Sequence, residues 1–194
     1  MISGMNSPMR ERLLEAATEL FYAHGLRAVS VDKVIDRAGT TKVTFYRHFK
    51  SKDDLVVAYL EGRAALERDG IGEAIKQGDG DVDATLRVIS EAIGTIACAP
   101  GFRGCPFINA AAEYPDPDSP IRKAVDTHRR WYRTTFEQLT APLGITNPGD
   151  VADDLMLIRD GAMVAGYLDQ PATVAASFLR SSQAVIGTGT ATRR

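Results

Sequence analysis

Three features predict an all-α chain. Apolar residues recur at intervals of three and four along nearly the whole length. The runs are punctuated by Gly, Pro, Asp, Asn and Ser at spacings that suit helix ends. No stretch alternates apolar and polar residues as a half-buried strand would. With 194 residues the chain is long enough for a sizeable core in one or two domains.

The first helix lies in "MRERLLEAATELFYAHG", where Leu13, Ala17, Leu20, Phe21 and His24 share a face and Gly25 ends the run. Ser30 then caps a short helix with Val31, Val34, Ile35 and Ala38 as its apolar stripe, stopped by Gly39. "TTKVTFYRHF" restarts at Thr40 or Thr41, either of which can cap. Val43, Phe45 and Phe49 are expected to pack back on the first two helices. Ser51 caps the next helix, and Asp53 and Asp54 sit in its first turn, where the helix dipole favours anions. Leu55, Ala58, Tyr59 and Leu66 are its apolar positions. The glycine-rich "GIGEAIKQGDGD" reads as a loop that closes this section.

Five further helical segments follow, from "VDATLRVISEAIGTIACA" to "PATVAASFLRSSQAVIG". The tail "TGTATRR" reads as frayed. The implied division is 8–68 and 69–190. The opening "MISGMNSPMRER" lacks the cationic and apolar regions of a secretory signal. No apolar run approaches the ~20 residues of a membrane span. Two cysteines, Cys98 and Cys105, make no disulfide framework, so a reducing cytoplasm is the expected setting. They also lack the four suitably spaced ligands of a zinc site. No cofactor is expected.

Charge is unevenly placed. Residues 1–55 carry a net +2 and the remainder −4. From Thr40 to Lys52 there is no acid, while Lys42, Arg47, Lys50 and Lys52 are basic and Phe45, Tyr46 and Phe49 lie among them. Apolar anchors interleaved with cations suit a short helix that packs by one side and meets phosphates by the other. Two short helices joined by a tight turn at Gly39 make a helix-turn-helix pattern, whose second helix enters the major groove.

"LLEAATELFYAHG", "SVDKVIDRAG" and above all "TFYRHFKSKDDL" resemble the tetracycline-repressor-like (TetR) regulators over roughly residues 10–60. The resemblance implies an N-terminal three-helix DNA-binding domain and a C-terminal helical domain for effector binding and dimerisation. Ser30, Thr41, Tyr46, His48 and Lys52 would touch backbone phosphates, with Lys42 and Thr44 facing base edges.

It also implies pairing of the last two helices with their copies. Val151, Leu155, Ile158, Ala162 and Ala165 mark one face of the penultimate helix, and Leu157, Gly161, Val164 and Leu168 a neighbouring one. Val174, Phe178, Val185 and Ile186 repeat the theme on the last helix. An internal core helix would account for the same pattern.

The middle helices would then house a small-molecule pocket. Its candidate lining is Phe107, Asn109, Glu113, His128, Trp131, Tyr132, Met163 and Tyr167. Equally, His128 can be a satisfied core histidine, and Asn109 with Glu113 can cap neighbouring helices.

The implied protein is a homodimeric repressor that leaves a pseudo-palindromic double-stranded DNA operator when an effector binds, with no membrane partner. Two other classes stay open: a small helical enzyme using Cys105 or His128, and a protein-interaction module. No Gly-x-Ser-x-Gly, phosphate-cradling loop or HExxH motif favours the enzyme.

Overall fold

In the computed structural model, residues 7–168 and 171–191 are described. The opening segment read above for a targeting signal begins in residues 1–6, outside them, as do 192–194 of the tail. The described residues form helices α1 (Pro8–His24), α2 (Val31–Ala38), α3 (Lys42–His48), α4 (Lys52–Gly78), α5 (Val82–Ala97), α6 (Pro106–Glu113), α7 (Pro120–Thr140), α8 (Pro148–Leu168) and α9 (Pro171–Ala191). A single 3-10 turn follows α7 at Ala141–Leu143. No strand occurs among the described residues, and no helix is long and apolar enough to cross a membrane.

The chain divides into two compact units, 1–64 with 106–125 and 65–105 with 126–194. No single cut separates them: the segment containing α6 groups with the N-terminal helices, and the chain passes from one unit to the other within α4 and α7.

In the first unit, Leu13, Phe21, Val34, Ile35, Phe45, Phe49, Leu55 and Tyr59 are buried. Ser30 Oγ accepts from the Lys33 amide at 3.2 Å, which caps α2. Gly39 ends that helix in the left-handed conformation. Its N–H and that of Thr40 return to Asp36 and Ile35 carbonyls at 3.1 Å. This tight reversal suits glycine, which carries no Cβ penalty there. Arg12 Nη2 donates to the Ala38 carbonyl at 2.6 Å, tying α1 to the same turn. Thr41, not Thr40, caps α3, accepting from the Thr44 amide at 3.3 Å.

Four expectations are overturned. Val43 is 73% exposed and does not pack inward. It falls one residue after Lys42 and three before Tyr46, on the outward side of a helix buried through Phe45. Leu66 is also exposed. The glycine-rich run at 70–78 is no loop but the last two turns of α4. Glycine costs about 1 kcal/mol relative to alanine in a helix, but Ile71 and Ala74 are buried in the second unit's core. Burying an isoleucine-sized side chain contributes about 1.5–3 kcal/mol. At Gly78 a Cβ would strike Thr85, so α4 and α5 approach there as only glycine allows. The tail too is helical as far as Ala191.

The second unit's core gathers Leu86, Ile89, Tyr132, Phe136, Leu155, Phe178 and their neighbours. Small residues set the helix spacing. A Cβ on Gly94 would lie 2.8 Å from Ala175 Cβ, and one on Gly166 2.8 Å from Ala97 Cβ. On α8, the face of Val151, Leu155 and Ala162 is buried, whereas Leu157, Val164 and Leu168 are exposed. On α9, Val174 and Phe178 are buried, and Val185 and Ile186 are half-buried.

Candidate functional site

Two regions collect functional groups, one in each unit. In the first, α3 is anchored by Phe45, whose ring lies 5.9 Å from that of Phe49 and edge-on to Tyr46 at 5.2 Å. Arg10 covers the Phe49 ring at 5.0 Å. With this side fixed, Lys42, Val43, Tyr46, Arg47 and Lys50 are exposed. They form an outward surface free of acids within α3 itself.

The nearest anion comes from α2: Asp32 Oδ1 lies 3.4 Å from Lys42 Nζ. Both are well exposed, so the pair is weak and screened by salt. Ser30 and Thr41 are exposed, Thr44 and His48 half-buried. The hydroxyls of Ser30 and Thr41 already serve as helix caps, and Thr41 Oγ1 lies 3.0 Å from Thr44 Oγ1. Lys52 is half-buried and donates to the Arg27 carbonyl at 3.2 Å. Burial lowers its pKa, opposed by the nearby carboxylates of Asp53 and Glu113, while Arg27 lowers it further.

The candidate pocket residues fall into two groups. Phe107, Asn109 and Glu113 lie on α6 in the first unit. Phe107 is buried and Asn109 half-buried. The Glu113 carboxylate accepts from the Leu26 amide at 2.9 Å and the Arg27 amide at 2.7 Å. It thus ties α6 to the turn between α1 and α2.

His128, Trp131, Tyr132, Met163 and Tyr167 belong to the second unit. His128, Tyr132 and Met163 are buried, Trp131 is half-buried and Tyr167 exposed. His128 stacks against Trp131 at 5.6 Å and meets Tyr132 edge-on at 5.3 Å.

Around His128 is a polar cluster whose centre is Arg159, only 4% exposed. Arg159 donates from Nη2 to Glu67 Oε2 at 3.0 Å, and from Nη1 to Cys105 Sγ and Asp160 Oδ1, each at 3.1 Å. Its guanidinium lies 4.8 Å over the Tyr132 ring. Glu67 Oε2 is shared with His128 Nε2 at 3.2 Å. Arg129 Nη1 reaches Asp160 Oδ2 at 2.7 Å.

Burial works against the charge of Arg159, but Cys105, Tyr132 and Glu67 beside it hold its pKa above the ordinary value. Burial raises the pKa of Tyr132, which Arg159 only partly offsets. Chemically the cluster is a buried cation with two carboxylates, an imidazole, a thiol and an aromatic wall. Cys105 is buried and Cys98 exposed. No group of His, Cys, Asp and Glu suited to a metal ion occurs among the described residues.

Sequence reasoning missed Glu67 and Arg159. A signal existed for Arg159. It is a lone cation in "LMLIRDGAM", with Leu155, Met156, Ala162 and Met163 three and four residues away, which puts it on the apolar face. Nothing local marks Glu67.

The profile of bacterial regulatory proteins of the tetR family matches residues 13–59. The chain is 39% identical to a TetR-family transcriptional regulator of Streptomyces coelicolor of known structure. That match covers 94% of this chain and 96% of the other, with a TM-score of 0.86. The reduced form of Escherichia coli NemR shares the fold at 21% identity and a TM-score of 0.81, covering 92% of this chain and 96% of that one. Among curated proteins, the transcriptional activator FasR of Mycolicibacterium smegmatis is 37% identical over 67 residues, 34% of this chain. The transcriptional repressor NemR of Escherichia coli is 26% identical over 122 residues, 62% of this chain. These matches span 31% of FasR and 61% of NemR. The chain belongs to the TetR family of bacterial transcriptional regulators.

Proposed function

We propose that this chain is a homodimeric, cytoplasmic, DNA-binding repressor released from its operator by a small-molecule effector. The acid-free outward face of α3 carries the reading. It presents Lys42, Tyr46 and Arg47 to solvent on a helix fixed from behind by Phe45. Thr41, Tyr46, His48 and Lys52 position the duplex by its phosphates, with Ser30 at the start of α2. Lys42 and Thr44 read base edges. A dimer would set two such helices one helical turn, about 34–36 Å, apart on a pseudo-palindrome. The exposed apolar stripe of Leu157, Val164 and Leu168 on α8 supports a second copy as its cover.

The effector would seat in the second unit against His128, Trp131, Tyr132 and Met163, with Arg159 and Glu67 as polar handles. An apolar or aromatic molecule bearing an acceptor suits that lining. Similarity alone leaves the direction of control open, since the relatives include an activator and a repressor by name. The choice of repressor is our reading. Relatives named as regulators rather than enzymes favour it over catalysis at Cys105 or His128.

The test is binding-site selection from random duplexes with the full chain, followed by sedimentation of wild type and Gly161→Asp. Enrichment of an inverted repeat, with a dimer that Gly161→Asp dissociates, is expected. A monomeric wild type, or recovery of no sequence, contradicts the proposal.

A further inference from the structure

We propose that Glu113 is a positioning residue for DNA binding, clamping the turn between α1 and α2 through two successive backbone N–H groups. This deepens the reading of α3 as the DNA face and rests on it. One carboxylate oxygen takes the Leu26 N–H at 2.9 Å and the other takes the Arg27 N–H at 2.7 Å. Successive amides aimed at one anion form a concavity that holds charge. Charge-assisted bonds of this kind are roughly twice as strong as neutral ones.

The turn is shaped to admit the carboxylate. Gly25 has φ +92°, and a Cβ there would stand 3.3 Å from Glu113 Oε1. The other side of the turn is held too: the Arg27 carbonyl takes Lys52 Nζ at 3.2 Å. The Arg27 guanidinium lies 5.2 Å over the ring of Tyr114, the residue after Glu113.

Three residues beyond Arg27, Ser30 caps α2, and α2 with Gly39 aims α3. The clamp therefore sets the start of the element that points the reader. Lys52 belongs both to this clamp and to the set of phosphate contacts, so the carboxylate and a phosphate bias the same lysine. In the chain, α6 follows Cys105 directly, and Cys105 is a partner of Arg159. A displacement of α6 would reach the α1–α2 turn through Glu113, 87 residues from Leu26 in sequence.

The experiment compares full-length wild type with Glu113→Gln and Glu113→Ala. Amide hydrogen exchange is followed at Leu26 and Arg27, with the amides of Val34 and Phe45 as internal references. Affinity for generic duplex DNA is measured across a salt series at a temperature where circular dichroism shows every chain folded. We expect exchange at Leu26 and Arg27 to accelerate while the reference amides keep their protection. Affinity should fall roughly tenfold, about 1.4 kcal/mol, with an unchanged salt slope, because no phosphate contact is lost.

If exchange accelerates while affinity stays at the wild-type value, the clamp is structural only and the proposal is overturned. Unchanged exchange at both amides removes the clamp itself. Should Glu113→Ala fail to fold, Glu113→Gln carries the same two readouts. It keeps the side-chain length but sets an NH2 group against one amide donor. A wild type that binds no DNA defeats the underlying reading, and is told apart because the parent fails rather than the variant.

Discussion

The α3 face and the Arg159 cluster both concentrate charge, but water acts on them in opposite ways. Lys42 and its neighbour Asp32 stand in solvent, with side chains 64% and 69% exposed. Their mutual attraction is worth little, and Lys42 stays available to a ligand. The side chains of Arg159 and Glu67 are withdrawn from water, 5% and 19% exposed. There, desolvation is repaid only when every partner is in place. Exposed charge is thus free for binding, whereas buried charge is committed to the fold unless something replaces a partner. An effector that took over one bond to Arg159 would alter the second unit, whereas phosphates can engage α3 without disturbing its core.

The largest difference between the regions should appear on removing one charge from each. Arg159→Met leaves Glu67 beside His128 without its cation. The loss should be about 3–5 kcal/mol, the usual cost of breaking a buried pair. Lys42→Ala should change stability by under about 1 kcal/mol. Urea denaturation of both variants decides this, and similar small losses would place the Arg159 cluster among surface pairs.

Packing gives the next largest effect. Gly166→Ala puts a methyl group 2.8 Å from Ala97 Cβ and should destabilise by about 1–3 kcal/mol. Gly161, five residues earlier on the same helix, has nothing within 4 Å. Its change to alanine should be neutral or gain up to about 1 kcal/mol from helix propensity alone. Measured at protein concentrations low enough to exclude any self-association, equal destabilisation by both would show that Gly161 faces the unit's own core.

A smaller effect is expected at Asp32. Asp32→Asn releases Lys42 and removes an anion beside the proposed DNA face, so affinity should rise about threefold at low salt and less at high salt. A fall in affinity would mean that Asp32 orients Lys42 productively.

The smallest concerns Tyr132. Burial raises its pKa, so its folded value exceeds the unfolded value near 10. The associated stability is fully present below that unfolded value and is lost as pH rises through the folded one. The absorbance step that disappears in Tyr132→Phe should therefore lie above the ordinary tyrosine range. A step within that range would place Tyr132 in water.

What could be read from the sequence divides along the same line. Ser30, Gly39, Thr41 and Phe45 act through neighbours a few residues away, and helix caps and apolar spacing are local signals. Glu67 and Arg159 meet across 92 residues, and no periodicity reports such a pairing. Glu113 was singled out as a polar residue on an apolar helix, but its partners, Leu26 and Arg27, are backbone amides that no side-chain pattern reveals. Val43 departs from its expected place because a hydrophobic side chain is not necessarily a buried one. On a seven-residue helix already anchored by Phe45 there is no room for a second inward face. The glycines of α4 misled for a complementary reason: tertiary burial of Ile71 and Ala74 overrides weak helix propensity.

The most direct test of α3 and the start of α4 as the DNA face is the salt dependence of duplex binding by wild type and Lys52→Ala. Affinity should fall steeply as salt rises. The plot of log affinity against log salt should lose about one unit of slope in the variant, the share of a single phosphate contact. Equal slopes for the two folded proteins, or wild-type binding that salt leaves untouched, would contradict it.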